Sequence, residues 1–146
     1  TKSRLLEQIA TMLGGRVAEE QIFSEMTTGA SDDIEKATGL ARTMVTEFGM
    51  SSLGPVNYES GERSYGETSQ ISDALQASVD AEVRKMMDEG YKTAQKVLKL
   101  HADKLDAVAS RLLEKETLEG DEFDSIMTGK KILKKTSVRV KKEATS

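Results

Sequence analysis

Apolar residues recur at helical intervals along most of the chain. Over residues 3–23, Leu5, Leu6, Ile9, Met12, Leu13, Val17 and Phe23 alternate with charged and amide side chains in a pattern that predicts an amphipathic helix. Gly14 and Gly15 interrupt the composition but not the phase. A glycine pair costs a helix about 1 kcal/mol per residue relative to alanine, so its presence predicts a close approach by a neighbouring backbone. After Gly29 a second stripe of Ile34, Ala37, Ala41, Met44, Val45 and Phe48 predicts another helix, with Gly49 as the residue that ends it. Asp32 and Glu35 have the spacing of a capping box, and acids in a first turn suit the helix dipole.

The pattern then lapses. Residues 50–70 hold the only proline, Pro55, and three glycines; they predict a long loop in which Val56, Tyr58 and Tyr65 could pair as a short hairpin. From Ile71 a long helix is expected, with Leu75, Val79, Val83, Met86, Met87, Tyr91, Ala94, Val97 and Leu98 in one phase. A turn at His101–Asp103 leads to a helix through Leu105, Val108, Ala109, Leu112 and Leu113. A break at Thr117–Gly120 precedes a short helix through Phe123, Ile126 and Met127. The fold expected is all-α: a small helical bundle with a long central helix, one long loop and a disordered basic tail over 130–146.

Composition agrees with that class. Charged residues make up 32% of the 146 and aromatics 4%, a balance that disfavours sheets. No cysteine is present, which excludes disulfides, thiolate metal sites and a cysteine nucleophile. No apolar run approaches a membrane span, and nothing reads as a signal peptide. Residues 130–146 carry seven basic side chains and one acid, leaving a net −10 on residues 1–129 of a chain whose total is −4. An acidic body does not attract nucleic acid, and the basic end reads most simply as a solvated tail.

Several chemistries are absent. There is no Gly-rich phosphate loop ending in Lys-Ser/Thr, and the one histidine, His101, supports neither a serine nor a cysteine triad and reads as a surface or junction residue. What remains is carboxylate chemistry: Glu19 and Glu20 after the glycine pair, and Asp32 and Asp33 after Thr27-Thr28-Gly29-Ala30-Ser31. Surface charge and helix capping account for such acids in most helical proteins. The small residues of TTGAS, however, also let a turn present a carboxylate inward. Zinc needs about three protein ligands, so a metal held by Asp33 would take the others from outside these 146 residues.

The blocks LLEQIATMLGGRVAEEQIF and TTGASDDIEKATGLARTMVTEFGMSSLGPV, followed by SVDAEVRKMMDEGYKTAQKVL and LLEKETLEGDEF, strongly resemble the peptidase domain of the FtsH family over about residues 3–127. Members are membrane-anchored, ATP-dependent AAA+ zinc metalloproteases. The resemblance implies that residues 1–129 are the C-terminal part of a zinc metallopeptidase domain. In the family, two histidines of a His-Glu-x-x-His helix and the aspartate closing TGASxD hold the zinc; that aspartate is Asp33 here. Many relatives carry Asn-Asp where this chain has Asp32-Asp33, which leaves the ligand position intact. Asp32 is then the helix cap, and Glu19 lies beside the metal and orients a ligand.

The His-Glu-x-x-His motif is absent, so the chain carries no catalytic residue of its own. By the resemblance, the motif would precede Thr1, as would the ATPase module with its ATP and Mg and the membrane segments. The chain alone is expected to be inactive. The parent is expected to be a homo-hexamer at a cell membrane, degrading unfolded and membrane proteins, with its peptidase domain facing the cytoplasm or an organelle equivalent. The loop 50–70 would border the substrate groove or a neighbouring subunit. The alternative is a non-catalytic helical scaffold that binds a partner through residues 71–127.

Overall fold

The computed structural model describes residues 1–59 and 72–130. These form two compact units that divide between Leu100 and His101. The first unit holds α1 (Lys2–Phe23), a 3-10 turn (Thr28–Ala30), α2 (Ser31–Thr46) and α3 (Asp73–Leu100). The second holds α4 (Ala102–Lys115) and α5 (Gly120–Thr128). Among the described residues there is no strand, and the chain is an all-α bundle.

The apolar stripes meet in one core. Ile9 and Leu13 of α1, Ala37, Ala41, Met44 and Val45 of α2, and Val79, Val83 and Met86 of α3 pack together, with Leu5, Leu6, Leu40, Leu75 and Tyr91 closing its edges. Burial of these side chains stabilises the unit by roughly 1.5–3 kcal/mol for each large one. Alanine at 37 and 41 keeps α2 thin where it meets α1 and α3. At the rim, Arg42 of α2 pairs with Asp80 of α3 at 2.7 Å, and Gln76 donates to the same carboxylate at 3.1 Å.

The tight helix contact is not at the glycine pair. Helix α1 runs unbroken through Gly14 and Gly15, and nothing lies within 4 Å of a Cβ built at either. Gly15 falls off the Ile9–Leu13–Val17 stripe, on a face that α2 and α3 do not cover. The close approach is instead at Gly90 of α3, where an added Cβ would stand 2.7 Å from Cγ2 of Ile9 and 3.4 Å from the Ala10 amide nitrogen.

Of the expected stripe residues in the first unit, Phe23, Ile34, Phe48 and Val97 are exposed rather than in the core. Phe23 is 69% exposed at the end of α1, and Phe48 is 51% exposed because α2 stops at Thr46, with Glu47 as its C-cap, before the stripe reaches it. Gly49 does serve the exit from α2. Its φ is +61°, and a side chain there would meet the Pro55 Cα at 2.5 Å, so the chain reverses only through glycine.

Over the residues described, the loop that follows forms turns; the expected hairpin extends to Tyr65, outside the described residues. Val56 donates to the Gly54 carbonyl at 2.9 Å and Tyr58 to the Thr46 carbonyl at 2.7 Å. Ser52 fastens the loop to α3, its hydroxyl donating to Glu82 at 2.6 Å and its amide at 3.3 Å. Those bonds hold the Glu82 carboxyl below its ordinary range. Tyr65 and residues 60–70 lie outside the described residues, as does the expected basic tail beyond Lys130.

In the second unit α4 begins directly after His101, and Glu116 in the left-handed region ends it. Helix α5 follows, closed by Gly129 at φ 70°. Lys104 donates to the Met127 carbonyl, and Glu122 takes Lys115, whose ammonium holds that carboxyl low. No residue of α4 is buried, and Leu113 is 87% exposed.

The two glycine environments predict opposite outcomes in this chain. Gly90→Ala forces a Cβ onto a fully buried β-branched side chain and should cost about 1–3 kcal/mol. Gly14→Ala fills open space within a helix and should add about 0.5–1 kcal/mol. Urea unfolding of the two variants beside the parent checks both signs.

Candidate metal site

Helix α1 ends by a left-handed Ser24 (φ 53°), whose amide donates to the Glu20 carbonyl at 3.1 Å. The chain then returns along α1 so that Thr27 meets Glu19 eight residues earlier. The Thr27 hydroxyl donates to one oxygen of the Glu19 carboxylate, and the Thr27 amide reaches the other at 3.4 Å. The same hydroxyl accepts from the Gly29 amide at 3.2 Å, which caps the 3-10 turn. That turn runs straight into α2, with Ala30 buried at the junction.

This entry removes the need for an aspartate cap. The N-cap position of α2 is Ala30, which bonds no amide through its side chain, and Asp32 and Asp33 both lie in the first turn. The capping role expected for Asp32 is thus taken over by Thr27 and the turn that precedes the helix. Asp32 instead pairs with Lys36, one helical turn on, at 2.6 Å, and that carboxylate holds the lysine ammonium above its ordinary range.

Asp33 differs from its neighbour. It makes no hydrogen bond or ion pair among the described residues, and it lines a groove with Glu19, Gly15, Ala18, Ile22 and Phe23. The structure therefore brings Asp33 and Glu19 to one place and leaves Asp32 turned to Lys36. Glu19 is half-buried and occupied by Thr27, so its contact with the Asp33 turn is made through that threonine. His101 belongs to the second unit, exposed and without a capping bond.

Glu20, next to Glu19, does a separate task. It accepts from Arg16 Nε at 3.0 Å and from the Tyr91 hydroxyl on α3, and Gln21 adds a bond to the Gln95 carbonyl at 3.4 Å. The Tyr91 phenol is raised above its ordinary range because it donates to Glu20, with desolvation adding to the effect. Thr27 and Tyr91 are the two residues of this region that sequence reasoning did not single out. Tyr91 carried a signal, a phenol within an otherwise apolar stripe; Thr27 carried none beyond its place in TTGAS.

Among the described residues no group of three His, Cys, Asp or Glu side chains could hold a metal. The groove offers one uncommitted carboxylate and a second already engaged, a donor set that fits zinc as one ligand of several rather than as a complete site. Nor is any helix of the described residues long and apolar enough to cross a membrane.

The family model described as Peptidase family M41 matches residues 1–126. Among curated relatives, the ATP-dependent zinc metalloprotease FtsH 1 of Thermoanaerobacter sp. is 43% identical over 139 residues, 90% of this chain and 23% of its own length. FtsH of Acholeplasma laidlawii is 47% identical over 131 residues, covering 86% of this chain and 20% of the relative. FtsH 1 of Sphaerobacter thermophilus is 44% identical over 133 residues, with the same two shares. The chain thus spans about a fifth of the length of the relatives it matches.

The Glu20–Tyr91 bond predicts a titration. Tyr91 should ionise above the ordinary phenol value of 10.0. Since its folded pKa is raised, the stability the bond contributes is present below that value and lost as pH rises through the folded one. Absorbance titration of tyrosinate should therefore show one high-pH phenol that moves down in Glu20→Gln.

Proposed function

The chain belongs to peptidase family M41, the FtsH family, and from that premise we propose that it supplies one zinc ligand, Asp33, to an ATP-dependent zinc endopeptidase. One observation carries the assignment of the ligand. Of the two adjacent aspartates, Asp32 is neutralised by Lys36, whereas Asp33 is uncommitted in a groove. Zinc in such a site supplies Lewis-acid activation of water and of the scissile carbonyl.

The chain's own residues hold and aim that ligand. Asp33 sits in the first turn of α2, where the helix dipole favours negative charge. Glu19 fastens the preceding turn to α1. The small Gly15 and Ala18, beside Ile22 and Phe23 exposed by 46% and 69%, suit a further helix laid against α1. The chain has a single histidine, so the two imidazoles and the catalytic glutamate of a His-Glu-x-x-His helix come from outside these residues. In this reading residues 1–129 are part of the peptidase domain, 130–146 a basic tail, and the 146 residues by themselves are inactive.

The finer expectations follow the same premise. The complete protein takes ATP with Mg at a separate ATPase module. It is anchored in a cell membrane through other segments, with the peptidase side facing the cytoplasm or an organelle equivalent. It works as a homo-hexamer on unfolded and membrane proteins.

Substitution in the full-length protein tests the ligand. Asp33→Asn should lower zinc content and reduce casein hydrolysis by more than about 100-fold, with ATP hydrolysis retained. Asp32→Asn should stay near the parent. Zinc-dependent proteolysis that survives Asp33→Asn would falsify the proposal and favour a scaffold.

A further inference from the structure

Among the described residues the Asp33 carboxylate has no hydrogen bond or ion pair to hold it, so its position is set by the backbone that delivers it. That backbone has two anchors. Ala30 is buried, which fixes the turn against the core. Thr27 is fixed by hydrogen bonding: its amide and its hydroxyl both reach Glu19 on α1, and the hydroxyl also accepts from the Gly29 amide at 3.2 Å.

A hydroxyl that donates to a carboxylate is polarised toward a better acceptor, so the two bonds strengthen each other. Asp33 follows Ala30 by three residues, roughly one helical turn, and its angular position is inherited from the turn's closure. We propose that Thr27 is a positioning residue of the metal centre: it carries the restraint of Glu19 through the Gly29 amide to the helix turn that presents Asp33. The inference rests on Asp33 being a ligand. It gives Glu19 an action on Asp33 through Thr27. Outer groups that orient ligands typically change metal affinity by about 10–100-fold.

The test uses the full-length protein, with zinc affinity read by competition against a chromophoric chelator and the site geometry by the visible spectrum of cobalt put in place of zinc. Thr27→Val keeps the shape and removes the hydroxyl; it should weaken zinc about 10–100-fold and alter the cobalt spectrum. Thr27→Ser keeps the hydroxyl and should recover most of the affinity. Glu19→Ala removes both the hydroxyl and the amide bond and should lose at least as much as Thr27→Val, and the double variant should lose no more than Glu19→Ala alone, because one chain of bonds is broken once. Should Thr27→Val lose its fold in thermal melts, the Glu19→Ala and Thr27→Ser arms carry the same test.

Parent-like affinity and spectrum in Thr27→Val, or additive losses in the double variant, overturn the role of Thr27. Parent-like zinc binding in Asp33→Asn overturns the ligand itself. The two failures are thereby told apart.

Discussion

The missing side chain at Gly90 sets how closely α1 lies on α3. Ile9 occupies the space a Cβ would take, and because Ile9 is fully buried and β-branched it has nowhere to swing. That contact lets Leu13 and Val17 reach the core from a helix of 22 residues, and it fixes the line along which the far end of α1 projects. Everything at the candidate metal site hangs from that far end. Two adjacent glutamates use it in different directions: Glu20 ties α1 to α3 through Tyr91, and Glu19 ties it to the turn before α2. The scaffold and the site are thus joined at one dipeptide.

This arrangement explains how two neighbouring aspartates acquire separate tasks. Adjacent positions on a helix are about 100° apart, so Asp32 and Asp33 cannot face the same surroundings. Asp32 is satisfied within α2 by Lys36. Asp33 falls on the side where α1 presents Gly15, Ala18, the Thr27-bound Glu19 and an exposed apolar pair. Gly15 lies off the packed stripe, with open space beside it, and the cost of the glycine pair to the helix is offset by burial of the stripe.

The helices were legible because burial repeats with the helical period. The stripes through Ile9–Leu13, Ala37–Ala41–Met44–Val45 and Val79–Val83–Met86 named the core correctly, and Val17 continues the first as a buried residue. The ends of those stripes were not legible, since Phe23, Ile34, Phe48 and Val97 keep the periodicity but are left exposed. A glycine in a helix reads equally as close approach or as open surface. Gly90, between Met86 and Ala94 at i, i+4 spacing, had the better claim to the former. For the site, the resemblance marked Asp33 and Glu19, and the Asp32–Lys36 spacing could have removed Asp32 from the capping role. Thr27 needed the tertiary structure, because its partner is reached only when the chain folds back along α1.

The most direct measurement is anomalous diffraction at the zinc absorption edge from crystals of the full-length protein. The account predicts a single zinc peak with a carboxylate oxygen of Asp33 at about 2.0–2.2 Å and two imidazole nitrogens from outside these 146 residues. It also predicts Glu19 on Thr27 rather than on the metal. A zinc ion coordinated without Asp33, or with Glu19 as its carboxylate ligand, would contradict it.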